Sequence, residues 1–363
     1  MAVFHRPTLL LDEAICRKNI KKMVAKAQRN TVRFRPHFKT HQSQEIARWF
    51  RQEGVNAITV SSVAMAQYFA EDGWKDITIA FPVNLHEIQM INDLADKIQL
   101  NLLVESLESI HFLDQKLSHA VHCLLKVDLG YGRTGIDCNN LDLIDAILQS
   151  IASSKMMQFV GFLGHAGQSY SARSVEHIRA VHQQSIKMIL GLKAHYQSNY
   201  PNLQLSVGDT PTCSRAEDFG GVDEIRPGNF VFYDVTQHFI GSNTLEEIAV
   251  AMTCPIVARH SQREEIIIYG GGAHFSKDRI EDPRGKTIFG LVVENRALGW
   301  GPIIPGAYVK KLSQEHGTIH LPATHFGRYQ VGDWVTILPV HSCMCANLMK
   351  AYWTTAGQKI DRL

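Results

Sequence analysis

The chain has 363 residues, 45% of them hydrophobic and 20% charged, with a formal net charge of +2. That length exceeds what one core accommodates, since single cores stop growing at roughly 250–300 residues, so two domains are expected. The near-zero charge argues against a nucleic-acid partner, and no apolar run approaches the roughly 20 residues of a membrane span. Seven cysteines, odd in number and irregularly spaced, read as reduced thiols in a cytoplasm. The opening MAVFHRPTLLLDEAI lacks the basic-then-apolar order of a secretory signal.

In chain order, a helix is expected over 11–27, and short β-rich runs then alternate with amphipathic stretches. The strands are FRPHFK (34–39), AITVS (57–61), ITIAF (77–81), IQLNLLV (98–104), HCLLKVD (122–128), FVGFLGH (159–165), LQLSVGD (203–209) and DEIRPG (223–228). Helices are expected at 44–52, 62–72, 85–94, 106–117, 141–153 and 175–197, with a short one at 214–219. Strands alternating with helices argue for parallel pairing, because each parallel connection needs a crossover. The fold class is therefore α/β, with an N-terminal (β/α)8 TIM-type barrel over 10–245; a doubly wound open sheet is the runner-up. After residue 245 the pattern changes to IAVAMTC, EEIIIYGGG, TIFGLVVEN, GAYVKKL, GTIHLPA and DWVTILPV, separated by Gly and Pro turns. These read as a C-terminal antiparallel β domain over 246–363, with residues 1–9 as a candidate addition.

In a barrel of this type the C-terminal ends of the strands form the active face. Polar residues gather at those ends: Lys39 after the first strand, Asp128 and Arg133 after the fifth, and His165 after the sixth. Asp209, Thr210 and Thr212 follow the seventh, and Gly228, Asn229 and Tyr233 the eighth. Any one of them is an ordinary cap or turn residue; their shared placement is the signal. An amine at a strand end, with Arg35, His37 and His41 near it in sequence, is expected to lose affinity for its proton through burial and positive neighbours. It could then form a Schiff base. Loops after strands seven and eight commonly hold phosphate in such barrels. A phosphate site with a Schiff-base lysine suggests pyridoxal phosphate.

PHFKTH (36–41) resembles the cofactor-lysine segment of the alanine-racemase-like pyridoxal enzymes, and more closely the D-serine dehydratase and D-threonine aldolase branch. Gln42 stands where that branch usually has a further lysine. The resemblance continues in order through VDLGYGRTG (127–135), GFLGHAGQSY (161–170), GDTPT (208–212), EIRPGNFVFYD (224–234), SQEHG (313–317) and HSCMCANL (341–348). It implies that Lys39 tethers the cofactor, that His165 packs on the pyridine face and that Arg133 lies near the ring. Gly228 and Tyr233 match the phosphate motif, with Thr210 and Asn229 beside it, and Tyr170 stands on the substrate side. It also implies a homodimer.

HSCMCANL adds a metal question. On a strand, His341 and Cys343 share a face, and imidazole plus thiolate suits zinc. Cys345 would share that face and is read as a spectator. Residue spacing alone leaves a core strand with a buried cysteine equally open; the resemblance implies that His341 and Cys343 bind Zn2+ or another divalent metal. The expected activity is that of a lyase on β-hydroxy D-amino acids. D-serine dehydratase, giving pyruvate and ammonia, is the first reading, and D-threonine aldolase, giving glycine and acetaldehyde, is the alternative. A racemase would need a second acid/base that the β domain does not offer by sequence. A non-catalytic cofactor carrier would not need the β domain.

Overall fold

The computed structural model describes residues 4–282, 285–297 and 299–363. Of the 1–9 segment weighed for the β domain, residues 1–3 lie outside these. The chain divides into two compact units, residues 21–228 and residues 1–20 with 229–363.

In the first unit eight parallel strands run in the spatial order Arg33–Phe34, Glu224–Ile225, Gln204–Val207, Met157–Gly164, Val121–Asp128, Gln99–Val104, Asp76–Pro82, Ile58–Val60. A parallel bridge between His37 and Thr59 closes the circle into a barrel. Helices return the chain between strands, and their starts are written locally. Ser62, Ser106, Asn140, Ser174 and Asp209 each accept a first-turn N–H. The helix Leu141–Ser153 shows the usual packing logic, burying Ile144, Ile147, Leu148 and Ile151 on one stripe.

Three expected elements shift. Residues 34–39 do not form a continuous strand: Pro36 has no N–H for the ladder, so pairing stops after Phe34, resumes only at His37, and leaves Lys39 in a turn. The short helix expected at 214–219 lies at Thr210–Arg215, because Asp209 caps it and Pro211 fits its first turn. The helix expected at 11–27 is Glu13–Arg29, and Thr8–Leu11 before it is a strand of the other unit.

That other unit is built on six antiparallel strands. In spatial order these are Glu265–Tyr269, His316–His320, Trp300–Leu312, Gly290–Asn295, Trp334–Pro339 and Val250–His260, and the last pairs back with the first to close a barrel. Thr8–Leu11 joins the outer side of Val250–His260 and pairs in parallel with Ala351–Thr354, followed by Lys359–Asp361. Among the described residues no helix is long and apolar enough to cross a membrane, and none of the seven cysteines forms a disulfide.

Candidate active site

The residues singled out by sequence fall into two groups, one in each unit. In the barrel unit, Lys39 is exposed, so the burial expected to depress its proton affinity is not present in this chain. His165 ends the Met157–Gly164 strand, and its Nδ1 lies 2.5 Å from the Gly208 carbonyl oxygen. Burial first, and then the charges of Lys39, Arg133 and Arg226, push its pKa down to about 3, against the Gly208 hydrogen bond. His165 is thus neutral across the working range. His37 is also driven well below its usual value, by burial and then by Lys39, Arg226, His165 and His41.

A row of rings and a hydroxyl extends from there. The Arg133 guanidinium sits 5.2 Å over the Tyr131 ring, Tyr131 meets His165 edge-on at 6.0 Å, and Tyr170 lies 6.3 Å beyond. The Tyr170 hydroxyl accepts the Thr210 backbone N–H at 3.3 Å. Arg133, His165, Tyr170 and Thr210 are therefore linked in one row. Gly228 backs onto the turn that carries Lys39: a Cβ there would lie 2.9 Å from the His37 carbonyl oxygen and 3.2 Å from Thr40 Oγ1. Asp128 and Asp209 turn out to be turn and cap residues. Asp128 accepts the N–H groups of Gly130, Tyr131 and Gly132, and Asp209 holds Thr212 and Ser169.

Arg226 was not singled out from sequence, although it stands in the quoted RPG motif. It is buried, donates through Nε to Ser206 Oγ (2.7 Å) and through an η nitrogen to the Gly164 carbonyl (2.6 Å). Ser206 in turn donates to Glu224 (2.7 Å), which holds Arg35 (2.6 Å), and Arg35 holds Asp76 (2.5 Å). The cations Lys39, Arg133 and Arg226 all bear on His165. A centre of that sign, with an amine and a glycine turn, fits an anionic phosphate-bearing aldehyde such as pyridoxal phosphate.

In the β unit, His341 and Cys343 do not share a strand face. Pairing ends at Pro339, His341 occupies the N-cap position of the helix Ser342–Leu348, and Cys343 lies in its first turn. Ser342 forces this, because its N–H and hydroxyl are both tied to the buried carboxylate of Asp234 at 3.0 and 3.2 Å. The two ligand candidates still come together through the turn. His341 Nδ1 lies 2.8 Å from Asp278 Oδ2, and the ring also hydrogen-bonds Cys343. Burial works against protonation of His341, but Asp278, Cys343 and Asp234 outweigh it and raise its pKa to about 11. Asp278 is a second residue that sequence did not flag; nothing in a lone Ser-Lys-Asp triplet announces a partner 63 positions away. Asn229 donates to Asp234 and to Cys343, and the Tyr233 N–H donates to the Asn229 carbonyl at 2.7 Å. Tyr233 is held at φ 50°, a left-handed conformation unusual for a bulky residue. Cys345 is buried, with its thiol on the Phe275 carbonyl at 3.3 Å. Among the described residues no three His, Cys, Asp or Glu side chains converge for a metal. A nitrogen–sulfur pair in an anionic setting nevertheless fits a soft divalent cation.

Residues 11–235 match the family model described as alanine racemase, N-terminal domain, and residues 249–355 match a putative serine dehydratase domain. The chain belongs to the alanine-racemase-like family, in the branch that holds D-serine dehydratases and D-threonine aldolases. Relatives in this family include the D-serine dehydratase of Dictyostelium discoideum, 28% identical over 96% of this chain and 92% of that protein. The D-threo-3-hydroxyaspartate dehydratase of Delftia sp. strain HT23 is 27% identical over 97% of this chain and 94% of that protein. Its solved structure superimposes with a TM-score of 0.90, covering 100% of this chain and 98% of that one at 26% identity. A D-threonine aldolase of Arthrobacter sp. is 26% identical over 64% of this chain and 62% of that protein. Like these family members, the chain is a pyridoxal-phosphate-dependent lyase.

Proposed function

We propose that this protein is a D-serine dehydratase, converting D-serine to pyruvate and ammonia with the help of zinc or another divalent metal. One observation carries the choice: His341 and Cys343 form a nitrogen–thiol pair whose imidazole is already oriented by Asp278 through Nδ1. Thiolate plus imidazole favours zinc over harder ions, and a carboxylate on the other ring nitrogen is the usual partner of a metal-bound histidine. The Delftia dehydratase supports the reading. Variants of it have been solved with a histidine and, two residues on, a cysteine replaced by alanine, the cysteine variant in a metal-free form. By sequence the two dehydratase relatives align along nearly the whole chain and the Arthrobacter aldolase over 64% of it, while the fold of a Filomicrobium marinum D-threonine aldolase covers 99% of it, so coverage does not separate the two activities.

Lys39 would tether pyridoxal phosphate, with Arg133 and His165 at its ring and Thr210, Gly228, Asn229 and Tyr233 at its phosphate. Bound there, the cofactor supplies an electron sink for charge left on the substrate's α-carbon. A divalent cation on His341 and Cys343 supplies a Lewis acid for a β-hydroxyl, which is otherwise a poor leaving group. Once the substrate's amine has displaced it from that tether, the freed Lys39 amine would take the α-proton. His165, neutral at working pH, packs without competing for that proton, and the buried Arg226 keeps the barrel centre cationic. Tyr170, fixed through Thr210, lines the substrate side. The reading also includes a cytoplasmic homodimer; the family resemblance supports the dimer, and seven cysteines without a disulfide accord with the compartment.

The test is release of keto acid and ammonia from D-serine by the purified protein before chelation, after it, and after zinc is returned. Activity lost on chelation and restored by zinc is expected. Full activity in exhaustively chelated protein would overturn the metal's role, and no keto acid under any condition would overturn the dehydratase.

A further inference from the structure

We propose that Asn229 is a positioning residue for the metal-binding thiol, its side-chain amide donating to Cys343 Sγ and so fixing that sulfur's orientation and donor strength. The inference rests on the metal reading above and extends it by one layer of contacts. Asn229 Nδ2 lies 3.3 Å from Cys343 Sγ, 2.7 Å from Asp234 Oδ2 and 3.0 Å from Ser342 Oγ. Asp234 Oδ2 already accepts the Ser342 backbone N–H, so the nitrogen of the amide, not its oxygen, faces that atom and the sulfur.

Asp234 is 1% exposed. It also takes the Gln237 N–H at 2.8 Å and both the N–H and hydroxyl of Ser342. One buried carboxylate therefore anchors the amide and the residue immediately before Cys343. Asn229 Oδ1, by contrast, is buried with no hydrogen-bond partner among the described residues. The bond to the buried Asp234 carboxylate holds the amide in place, and the same nitrogen also reaches the sulfur. What the amide adds is an N–H aimed at sulfur. Such a donor withdraws charge from a thiolate and holds its lone pairs in one direction, the role that outer contacts play around metal ligands. The part assigned to Asn229 beside the phosphate is then left to its backbone, since its side chain is committed to the thiol.

The test compares zinc-loaded holoenzyme of the natural sequence with its Asn229→Ala variant in competition with a zinc chelator. In parallel, cobalt(II) replaces zinc and the sulfur-to-cobalt charge-transfer band is recorded. The variant is expected to lose zinc about 10–100-fold more readily and to show a shifted band, while the cofactor's absorption persists. Asn229→Leu, which fills the volume without an N–H, gives the same comparison should the alanine variant prove unstable. Zinc release and band position unchanged in Asn229→Ala and Asn229→Leu would overturn the inference. No sulfur-to-cobalt band in the natural sequence would overturn the metal reading itself.

Discussion

Two histidines, one in each unit, are driven in opposite directions by surroundings of opposite sign. Burial disfavours the charged form of both. In the barrel unit the neighbours of His165 are Lys39, Arg133 and Arg226, and its pKa falls to about 3. In the β unit the neighbours of His341 are Asp278, Cys343 and Asp234, and its pKa rises to about 11. Burial leads the fall at His165 and the cations add to it, whereas at His341 the acidic and thiol groups packed around the ring overturn it. On the proposed reading the barrel unit takes an anionic cofactor and the β unit a cation, which would have to displace the His341 proton to bind.

The sharpest way to separate the units is to remove the reactive group of each. Lys39→Ala should lower D-serine turnover by about 10³-fold or more and abolish covalent retention of the cofactor, seen as loss of its protein-bound absorption. Cys343→Ala should leave that absorption intact while turnover falls by roughly 10²–10³-fold, the scale of a lost Lewis acid. If either variant produced the other's pattern, the division of labour would be wrong.

Stability offers a second contrast. Arg35 is buried between Asp76 and Glu224, so Arg35→Met should destabilise the barrel unit by about 3–5 kcal/mol in urea denaturation, since two carboxylates lose their partner. A loss below about 1 kcal/mol would show that the carboxylates find other partners. In the β unit, Asp278→Ala should weaken zinc by about 10–100-fold in chelator competition, with little change in cofactor retention.

The smallest effect is on acid stability. The folded pKa of His165 lies below its usual 6.5, so between pH 6.5 and about 3 the unfolded chain binds a proton that the folded chain refuses. Stability contributed by keeping this ring neutral is present above pH 6.5 and is lost as the pH falls through that window. His165→Gln should make the decline in urea midpoint shallower over pH 6.5–4; an unchanged slope would show that His165 does not contribute to it.

The barrel was legible because its pattern is local: alternating apolar runs, capping serines and crossover-length helices repeat along the chain. That Lys39, His165 and Gly228 gather in one region was legible because strand ends converge in that architecture. What escaped depends on through-space partners. Arg226 acts through Ser206 and Glu224, Asp278 meets His341 from 63 residues away, and the Asn229 amide reaches Cys343 across 114. His341 and Cys343 were expected side by side on a strand and instead meet at the start of a helix. That helix exists because a buried carboxylate at Asp234 captures Ser342, and period-two spacing carries no sign of that.

The most direct test of the central claim is the product formed from D-threonine by the zinc-loaded protein, because one substrate admits both reactions. A dehydratase releases 2-oxobutanoate and ammonia, which is the predicted result, and the yield should fall on chelation. Glycine and acetaldehyde in place of the keto acid would contradict it and assign the chain to the aldolases.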